Sequence, residues 1–363
     1  MKNQIQVRLI LRIMSLLVLT AFLTICGCSS NSAQSSSKNE YCRLSNRFAE
    51  TADKYVLRGN GLLLLYDKQS GEQTPYCFRS NCSHEPFSPT NESPDCPAAV
   101  LYRDSGGHAG LCGGYLYYIK DESKSISDGN GTLMKADPDG KNTRGIAAVS
   151  ISGMGFGSIS IFANGHFYTT GQSFEVSDNI ELRPVIRNTL WEIDLNTGNC
   201  TLLNECVSEE TVVFQILDVD EHFIYYAQNS QSEVLFRKRN LLTGKEEIFM
   251  NAPSALSASM RNDLILYISK DEDLYSVHYL DVNTKEKGQL LENLPELPGL
   301  CLLQDRGILL TQDGCYTIDY NDKILMPTGM LPSVPIGEAN HGLLFSETSY
   351  DGNIEYKYMD WNP

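Results

Sequence analysis

The sequence predicts an all-β protein of the β-propeller class, with about seven four-stranded blades. From about residue 41 onward, apolar and aromatic strands alternate with polar turns, and one strand–turn unit recurs along the chain. No long stretch has helical periodicity. The chain is 42% hydrophobic and holds 19 tyrosines and 13 phenylalanines, side chains that suit a half-buried pleated surface.

The spacing of the recurring unit indicates the size of a blade. Each unit ends in an Asp or Asn turn, at Asp67, Asp137, Asp194, Asn240, Asp281, Asp319 and Asp360. The last five of these turns lie 46, 41, 38 and 41 residues apart, close to the roughly 40–45 residues of a four-stranded blade. Seven turns therefore predict seven blades, with six or eight as alternatives and with insertions in the early blades.

A ring of blades gives a physical reason for this repeat. Each small sheet has exposed edges and an apolar face that it cannot bury alone, and radial packing buries the faces and leaves short edges. A β-sandwich explains the strands equally well, but it does not explain the regular late spacing. We assign residues 41–363 to the propeller.

The N-terminus has the pattern of an export signal. Lys2, Arg8 and Arg12 precede an apolar stretch from Ile13 to Ile25. Thirteen residues are too few to span a bilayer, which needs about 20 apolar residues. Residues 1–27 therefore predict a signal peptide.

The end of this signal resembles the bacterial lipobox, in which an aliphatic residue and two small residues precede a cysteine that is acylated. The matching residues are Ile25, Cys26, Gly27 and Cys28, with Cys26 as a departure from the usual Ala, Ser or Thr. The resemblance implies cleavage after Gly27 and a lipid on Cys28; an ordinary cleaved signal is the alternative. The Ser-rich residues 28–40 then predict a flexible tether.

The repeat itself resembles propellers of lipoproteins from Gram-positive anaerobes, described as low-density-lipoprotein-receptor-like or as domains of unknown function. The resemblance depends on a tyrosine-rich strand followed by a pattern L-x-x-x-D…T-G, as in LWEIDLNTGN at residues 190–199, and covers roughly residues 55–360. It implies a propeller on the outer face of the cell membrane, and it implies no catalytic residues.

A cysteine-rich segment at residues 76–98 is the sharpest local feature, and a similar segment occurs in those lipoproteins. Its candidate ligands are Cys77, Cys82, His84 and Cys96, in the pattern C-x4-C-x-H-x11-C. Three thiols and one imidazole satisfy a tetrahedral structural zinc, and disulfides are the equal alternative in an exported protein. Four protein ligands leave no position for a catalytic water, so we expect no catalytic zinc.

Charge limits the partners of the folded domain. The formal net charge is −16, and an acidic surface repels phosphate backbones, so we expect no nucleic-acid partner. Membrane contact is expected through the lipid anchor alone.

The sequence assigns no catalytic residue, because it has no G-x-S-x-G elbow, no H-E-x-x-H pair and no glycine-rich phosphate loop. We therefore expect a binding module for a protein or glycan ligand. A structural or sensory subunit of an envelope complex is the alternative, followed by a polysaccharide-active enzyme.

Overall fold

The computed structural model describes residues 41–45, 48–105, 109–122, 130–150, 159–175, 185–208, 212–230, 233–339, 342–348 and 354–361. The predicted signal peptide, the Ser-rich tether and Cys28 lie outside these ranges. No helix among the described residues is both long and apolar enough to cross a membrane.

In this part of the chain, 28 strands and one short helix, α1 (Pro97–Ser105), follow one another. The strands of the first half are β1 (Cys42–Leu44), β2 (Phe48–Glu50), β3 (Lys54–Gly59), β4 (Leu62–Asp67), β5 (Gln73–Pro75), β6 (Ala109–Cys112), β7 (Tyr115–Asp121), β8 (Asn130–Ala136), β9 (Arg144–Ser150), β10 (Ser160–Ala163), β11 (His166–Glu175), β12 (Val185–Asp194) and β13 (Cys200–Ser208). The strands of the second half are β14 (Val213–Val219), β15 (Phe223–Asn229), β16 (Val234–Asn240), β17 (Glu246–Ala252), β18 (Ala255–Arg261), β19 (Leu264–Asp271), β20 (Leu274–Asp281), β21 (Lys287–Leu294), β22 (Gly299–Leu302), β23 (Arg306–Thr311), β24 (Gly314–Asp319), β25 (Leu325–Gly329), β26 (Gly337–Ala339), β27 (Gly342–Thr348) and β28 (Ile354–Asp360).

These strands form antiparallel sheets of consecutive strands, as a propeller requires. Four sheets have four strands each, namely β6–β9, β14–β17, β18–β21 and β22–β25, and β26–β28 form a three-stranded sheet. The remaining strands form one nine-stranded sheet in the order β13-β12-β11-β10-β1-β2-β3-β4-β5. The predicted all-β propeller is confirmed.

The predicted number of blades is corrected from seven to five separate blade-sized sheets. The physical reason is the short strand β1, which hydrogen-bonds to β2 through Arg43 and Leu44 and to β10 through all three of its residues. It thereby merges β2–β5 and β10–β13 into one sheet. The spacing of the turns predicts how many strand–turn units the chain contains. It does not predict whether a further strand, such as β1, joins two of these units into one sheet.

Side chains join the last sheet to the first strands of the chain. The Tyr55 hydroxyl donates to the Glu338 carbonyl at 3.2 Å and accepts from the Glu338 N–H at 3.0 Å. Likewise, the Tyr356 hydroxyl donates to the Arg58 carbonyl at 2.6 Å and accepts from the Arg58 N–H at 3.2 Å. These paired bonds give hydrogen-bond partners to polar groups that the contact between the sheets would otherwise bury without any.

Strand β1 lies inside the ring. The first strands β10, β14, β18 and β22 contact one another in succession, so they are the strands nearest the axis, and β1 contacts the first strands β2, β6 and β10. The Tyr41 hydroxyl donates to Asp218 Oδ1 on β14 at 2.8 Å, and Arg43 Nη1 donates to the Met260 carbonyl on β18 at 3.5 Å. The N-terminal strand thus contacts five sheet segments at once and fills space around the axis.

Five of the seven predicted Asp and Asn turns share one pair of side-chain hydrogen bonds. The side-chain oxygen Oδ1 of Asp194 accepts from the backbone N–H groups of Asn196 at 2.7 Å and Thr197 at 2.9 Å. The same pair of bonds forms at Asp67, Asn240, Asp281 and Asp319. An Asp or Asn side chain at this position accepts hydrogen bonds from backbone N–H groups that would otherwise have no partner in the turn.

Candidate metal centre and adjoining cavity

The cysteine-rich segment connects β5 to helix α1. Cys77 lies two residues after the end of β5, and Cys96 lies one residue before the helix begins. The Cys96 carbonyl accepts from the N–H groups of Ala99 and Val100, both at 3.0 Å, which places Cys96 at the N-cap of α1. A strand end and a helix start, both fixed by packing, therefore position the first and last of the four candidate ligands.

Two contacts fix the middle of the segment. The Phe87 N–H donates to the Gly61 carbonyl in the β3–β4 turn at 3.1 Å. Arg79 forms an ion pair with Asp95 at 3.0 Å and donates to the Asp95 carbonyl at 2.8 Å. The segment around Cys82 is thus tied to the residue that precedes Cys96.

The four predicted ligands converge. One Sγ from each of Cys77, Cys82 and Cys96 and one ring nitrogen of His84 all lie within 4.8 Å of one another. The separation of Cys96 Sγ from His84 Nδ1 is 3.7 Å. Two ligands on a tetrahedral zinc, with bonds of about 2.3 Å to sulfur, lie on the order of 3.8 Å apart. The cluster therefore fits a tetrahedral Cys3His metal centre.

The local conformation of the segment favours this convergence. His84 has a positive φ of 53°, in the left-handed region that reverses the chain between Cys82 and the proline-rich part of the loop. All nine cysteines that the structure describes are free thiols. Sulfurs in a disulfide are about 2.05 Å apart, so disulfide pairing within the cluster would require the loop to rearrange.

Two of the thiols lie in opposite electrostatic surroundings. A backbone N–H of His84 donates to the Cys82 sulfur and lowers the pKa of that thiol. Burial raises the pKa of the Cys96 thiol to about 11, and only 2% of this residue is exposed. A bound cation would supply the positive charge that a buried Cys96 thiolate needs.

A cavity of about 480 Å³ adjoins the centre, between the cysteine-rich segment, helix α1 and the sheet β6–β9. We call it the α1 cavity. Its apolar lining comprises Phe78, Pro94, Pro97, Val100, Leu101, Tyr118 and Met134, and its polar lining comprises Arg79, Asp95, Asp104, Lys120, Asp139, Gly140, Lys141 and Thr143. The residues next to Cys77 and Cys96 form one side of this cavity.

A second cavity of the same volume lies between the nine-stranded sheet and the sheets β22–β25 and β26–β28. Glu50, Asp67 and Glu338 are among its lining residues. Two of its carboxylates have ion-pair partners within the chain. Glu50 pairs with Lys68 at 2.9 Å, and Asp67 pairs with Lys54 at 2.9 Å. These two carboxylates thus serve contacts within the protein itself.

Sequence reasoning found the four residues of the Cys3His cluster and missed the α1 cavity. The cavity depends on helix α1, which supplies Val100 and Leu101 and was not predicted, because nine residues are too short for a periodicity signal. A usable signal was present in Pro97 at the first helical position, followed by the helix-forming residues Ala98 and Ala99. The predicted lipidation residue Cys28 lies outside the described residues.

Comparison with known proteins supports the fold. No protein-family model and no curated protein sequence matches this chain. Among solved structures, an oligogalacturonate lyase from Vibrio parahaemolyticus is similar over 89% of this chain and 91% of its own, with a TM-score of 0.50 and 10% identity. A puromycin-hydrolyzing peptidase from Mycobacterium tuberculosis is similar over 92% of this chain and 54% of its own, with a TM-score of 0.48 and 12% identity. The chain is a β-propeller protein.

Proposed function

We propose that this chain is a lipoprotein anchored on the outer face of the cell membrane, where its propeller acts as a ligand-binding module. The observation that carries the proposal is the α1 cavity, which combines an apolar wall with a charged rim. Cavities of about 300–1,000 Å³ with apolar walls and a few polar groups are typical of small-molecule sites. The ligand is bound there, beside the Cys3His centre.

The Cys3His centre is proposed to hold a structural zinc. Cys77 and Cys96 flank residues that line the α1 cavity, so a metal bound to both would fix the width of the cavity. With four protein ligands the zinc has no open coordination position, and its contribution is to order the loop. The protein's own residues, and not the metal, then contact the ligand.

The interior of the ring favours binding in the α1 cavity over binding along the axis. Strand β1 occupies space around the axis, and its residue Arg43 and the preceding Tyr41 are bonded to β18 and β14, respectively. Near them Glu50 forms ion pairs with Lys68 at 2.9 Å and with Arg261 at 3.2 Å. A ligand entering along the axis would have to displace these contacts.

Anchoring is tested by fractionating cells that express the full chain or the variant Cys28→Ser. The full chain should be recovered in the membrane fraction with a lipid-modified N-terminal cysteine in its mass spectrum. The variant should be soluble or secreted. A chain that remains in the membrane fraction after this substitution would contradict a lipid anchor at Cys28.

Ligand binding is tested by retaining solubilised cell-envelope components on the immobilised chain. Val100→Trp adds bulk to the wall of the α1 cavity and should abolish retention. Leu242→Trp is the matched control, because Leu242 is 94% exposed and lies far along the sequence in a turn. Equal retention by wild type and Val100→Trp would place the ligand elsewhere, and no retention by the wild type would remove the proposed function.

A further inference from the structure

We infer that the ligand of the α1 cavity is an acidic glycan, a sugar chain whose rings carry carboxylate groups. This inference rests on the proposed binding function and specifies its ligand. Three features of the cavity support it: an exposed aromatic ring at the rim, hydrogen-bonding groups next to an apolar wall, and a lysine that has no ion pair within the described residues.

The aromatic ring belongs to Phe78, which is 61% exposed. It is held edge-on against Tyr76, with ring centroids 5.4 Å apart and planes at 90°. Tyr76 is buried, and its hydroxyl donates to the carbonyl of Pro138 in the β8–β9 turn. A large apolar side chain fixed in an exposed position provides a flat surface on which the C–H face of a sugar ring can stack.

Hydrogen-bonding groups face the same cavity from the sheet and the helix. Burial raises the pKa of the Tyr118 hydroxyl, which is hydrogen-bonded to Thr143 and lies near the carboxylate of Asp104. Asp104 itself pairs with Arg103 at 2.8 Å, and its carboxylate oxygens can accept further hydrogen bonds from hydroxyl groups. A purely apolar ligand would offer these groups no further hydrogen bond, whereas a sugar ring supplies hydroxyls on its edge and C–H groups on its face.

The charges on the rim select for a carboxylate. Arg79 is paired with Asp95 at 3.0 Å, and Lys141 is paired with Asp139 at 2.9 Å. Lys120 is exposed and, within the described residues, has no ion pair. An exposed ammonium in a chain of net charge −16 offers a local site for an anionic group that the rest of the surface repels.

The test is isothermal titration calorimetry on the full lipidated chain in detergent micelles. The probes are trigalacturonate as the acidic sugar, maltotriose as the neutral sugar and an acetylated tripeptide. Trigalacturonate should bind, and the affinity for maltotriose should be lower by about tenfold or more. The tripeptide should not bind. Binding of the tripeptide alone, or equal binding of the two sugars, would overturn the acidic-glycan assignment.

Two variants locate the contacts. Phe78→Ala should weaken trigalacturonate binding by about tenfold, whereas the exposed control Leu242→Ala should leave it unchanged. Lys120→Gln should weaken trigalacturonate binding and leave maltotriose binding unchanged, with Lys287→Gln on the distant strand β21 as its control. An unchanged affinity in both Phe78→Ala and Lys120→Gln would overturn the inference.

The envelope-retention experiment separates failure of this inference from failure of the proposed function. Retained material that is lost in Val100→Trp and proves to be peptide or lipid would leave the binding function standing and refute the acidic glycan. Retained material that is lost in Val100→Trp and contains uronic or other carboxylated sugars supports both. If no envelope component is retained, both the binding function and the acidic-glycan inference are refuted.

Discussion

Cys96 Sγ lies 3.7 Å from Nδ1 of His84, although eleven residues of irregular loop separate them in sequence. The helix start fixes Cys96, and a left-handed backbone conformation turns His84 toward it. Together with Cys77 and Cys82 they form a centre whose donors suit zinc and whose loop has little regular structure of its own. The loop should therefore depend on the metal for its order.

Loss of a single ligand tests this dependence. His84→Ala should reduce bound zinc from one equivalent to a small fraction, and it should lower the free energy of unfolding by about 2 kcal/mol or more, as loss of a structural metal does. Metal analysis by mass spectrometry and urea unfolding at neutral pH measure the two effects. Cys200→Ser, at an exposed free cysteine outside the cluster, is the control and should change neither. Full zinc content in His84→Ala would show that the imidazole is not a ligand.

Metal removal separates zinc from disulfides. Purified under reducing conditions, the chain should contain about one zinc, and a chelator should release it and expose the three cluster thiols to alkylation. Peptide mapping with an alkylating reagent measures the three sites individually. If the oxidised, untreated chain already contains disulfides between Cys77, Cys82 and Cys96, the zinc assignment is wrong and the pairing alternative holds.

A substitution outside the loop should also affect the centre. Gly61 has a φ of 74°, and a Cβ atom there would lie 2.1 Å from the carbonyl oxygen of Phe87. Gly61→Ala should therefore displace the loop and weaken zinc binding, with a cost of about 1–3 kcal/mol beyond the backbone strain. Gly113→Ala is a close control, since Gly113 also has a positive φ of 55° but nothing lies within 4 Å of the added atom. Equal stability and zinc affinity in the two variants would show that the Gly61–Phe87 contact does not position the centre.

The strands, the turns and the members of the Cys3His cluster could be predicted because their signals are local. A turn such as that at Asp194 is built by a side chain that bonds its own next residues, and the residue type alone carries that information. Three cysteines and one histidine within twenty residues remain close in space because the segment is short. Their residue types and spacing therefore define the candidate metal donors.

The number of separate blades and the α1 cavity depend on contacts between distant parts of the chain. Strand β1 pairs with β10, about 120 residues later, and three residues contain no pattern that specifies such a partner. The cavity is lined by Val100 from α1 and Met134 from β8, and neither residue is unusual in its own segment. Packing, and not local sequence preference, brings these residues together.

The ion pairs around Glu50 should be essential for stability. Glu50 is largely buried, and burial opposes its ionisation, but Arg261 and Lys68 outweigh this effect and hold its pKa below the ordinary value. Arg261→Met should leave a buried carboxylate with one partner fewer and lower the free energy of unfolding by about 3 kcal/mol. Lys357→Met, which breaks an exposed pair with Glu347, should lower the free energy of unfolding far less, because solvent screens an exposed ion pair. Urea unfolding of both variants at pH 7 provides the comparison, and equal losses would contradict a buried network.

Asp218 should give a pH dependence of the opposite sign to that of Glu50. Burial raises the pKa of Asp218 despite the nearby Arg43, so the folded protein holds this proton more tightly than the unfolded chain does. Protonated Asp218 therefore makes its full contribution to stability below about pH 3.9, the pKa of an Asp in the unfolded chain. This contribution is lost as the pH rises through the pKa of Asp218 in the folded protein. For Glu50, whose folded pKa is lowered, stability is present above the unfolded pKa and is lost as the pH falls through the folded pKa.

Asp218→Asn isolates the first of these effects, because an amide oxygen can still accept from the Tyr41 hydroxyl but carries no charge. The variant should be more stable than the wild type at pH 7, where Asp218 bears the cost of a buried charge, and the difference should shrink as the pH approaches 4. Melting temperatures measured from pH 4 to pH 8 test this. Asp273→Asn, at a fully exposed carboxylate on the β19–β20 turn, should follow the wild type throughout. A destabilised Asp218→Asn at neutral pH would mean that the ionised carboxylate, held by Arg43 and Arg261, is required to keep β1 inside the ring.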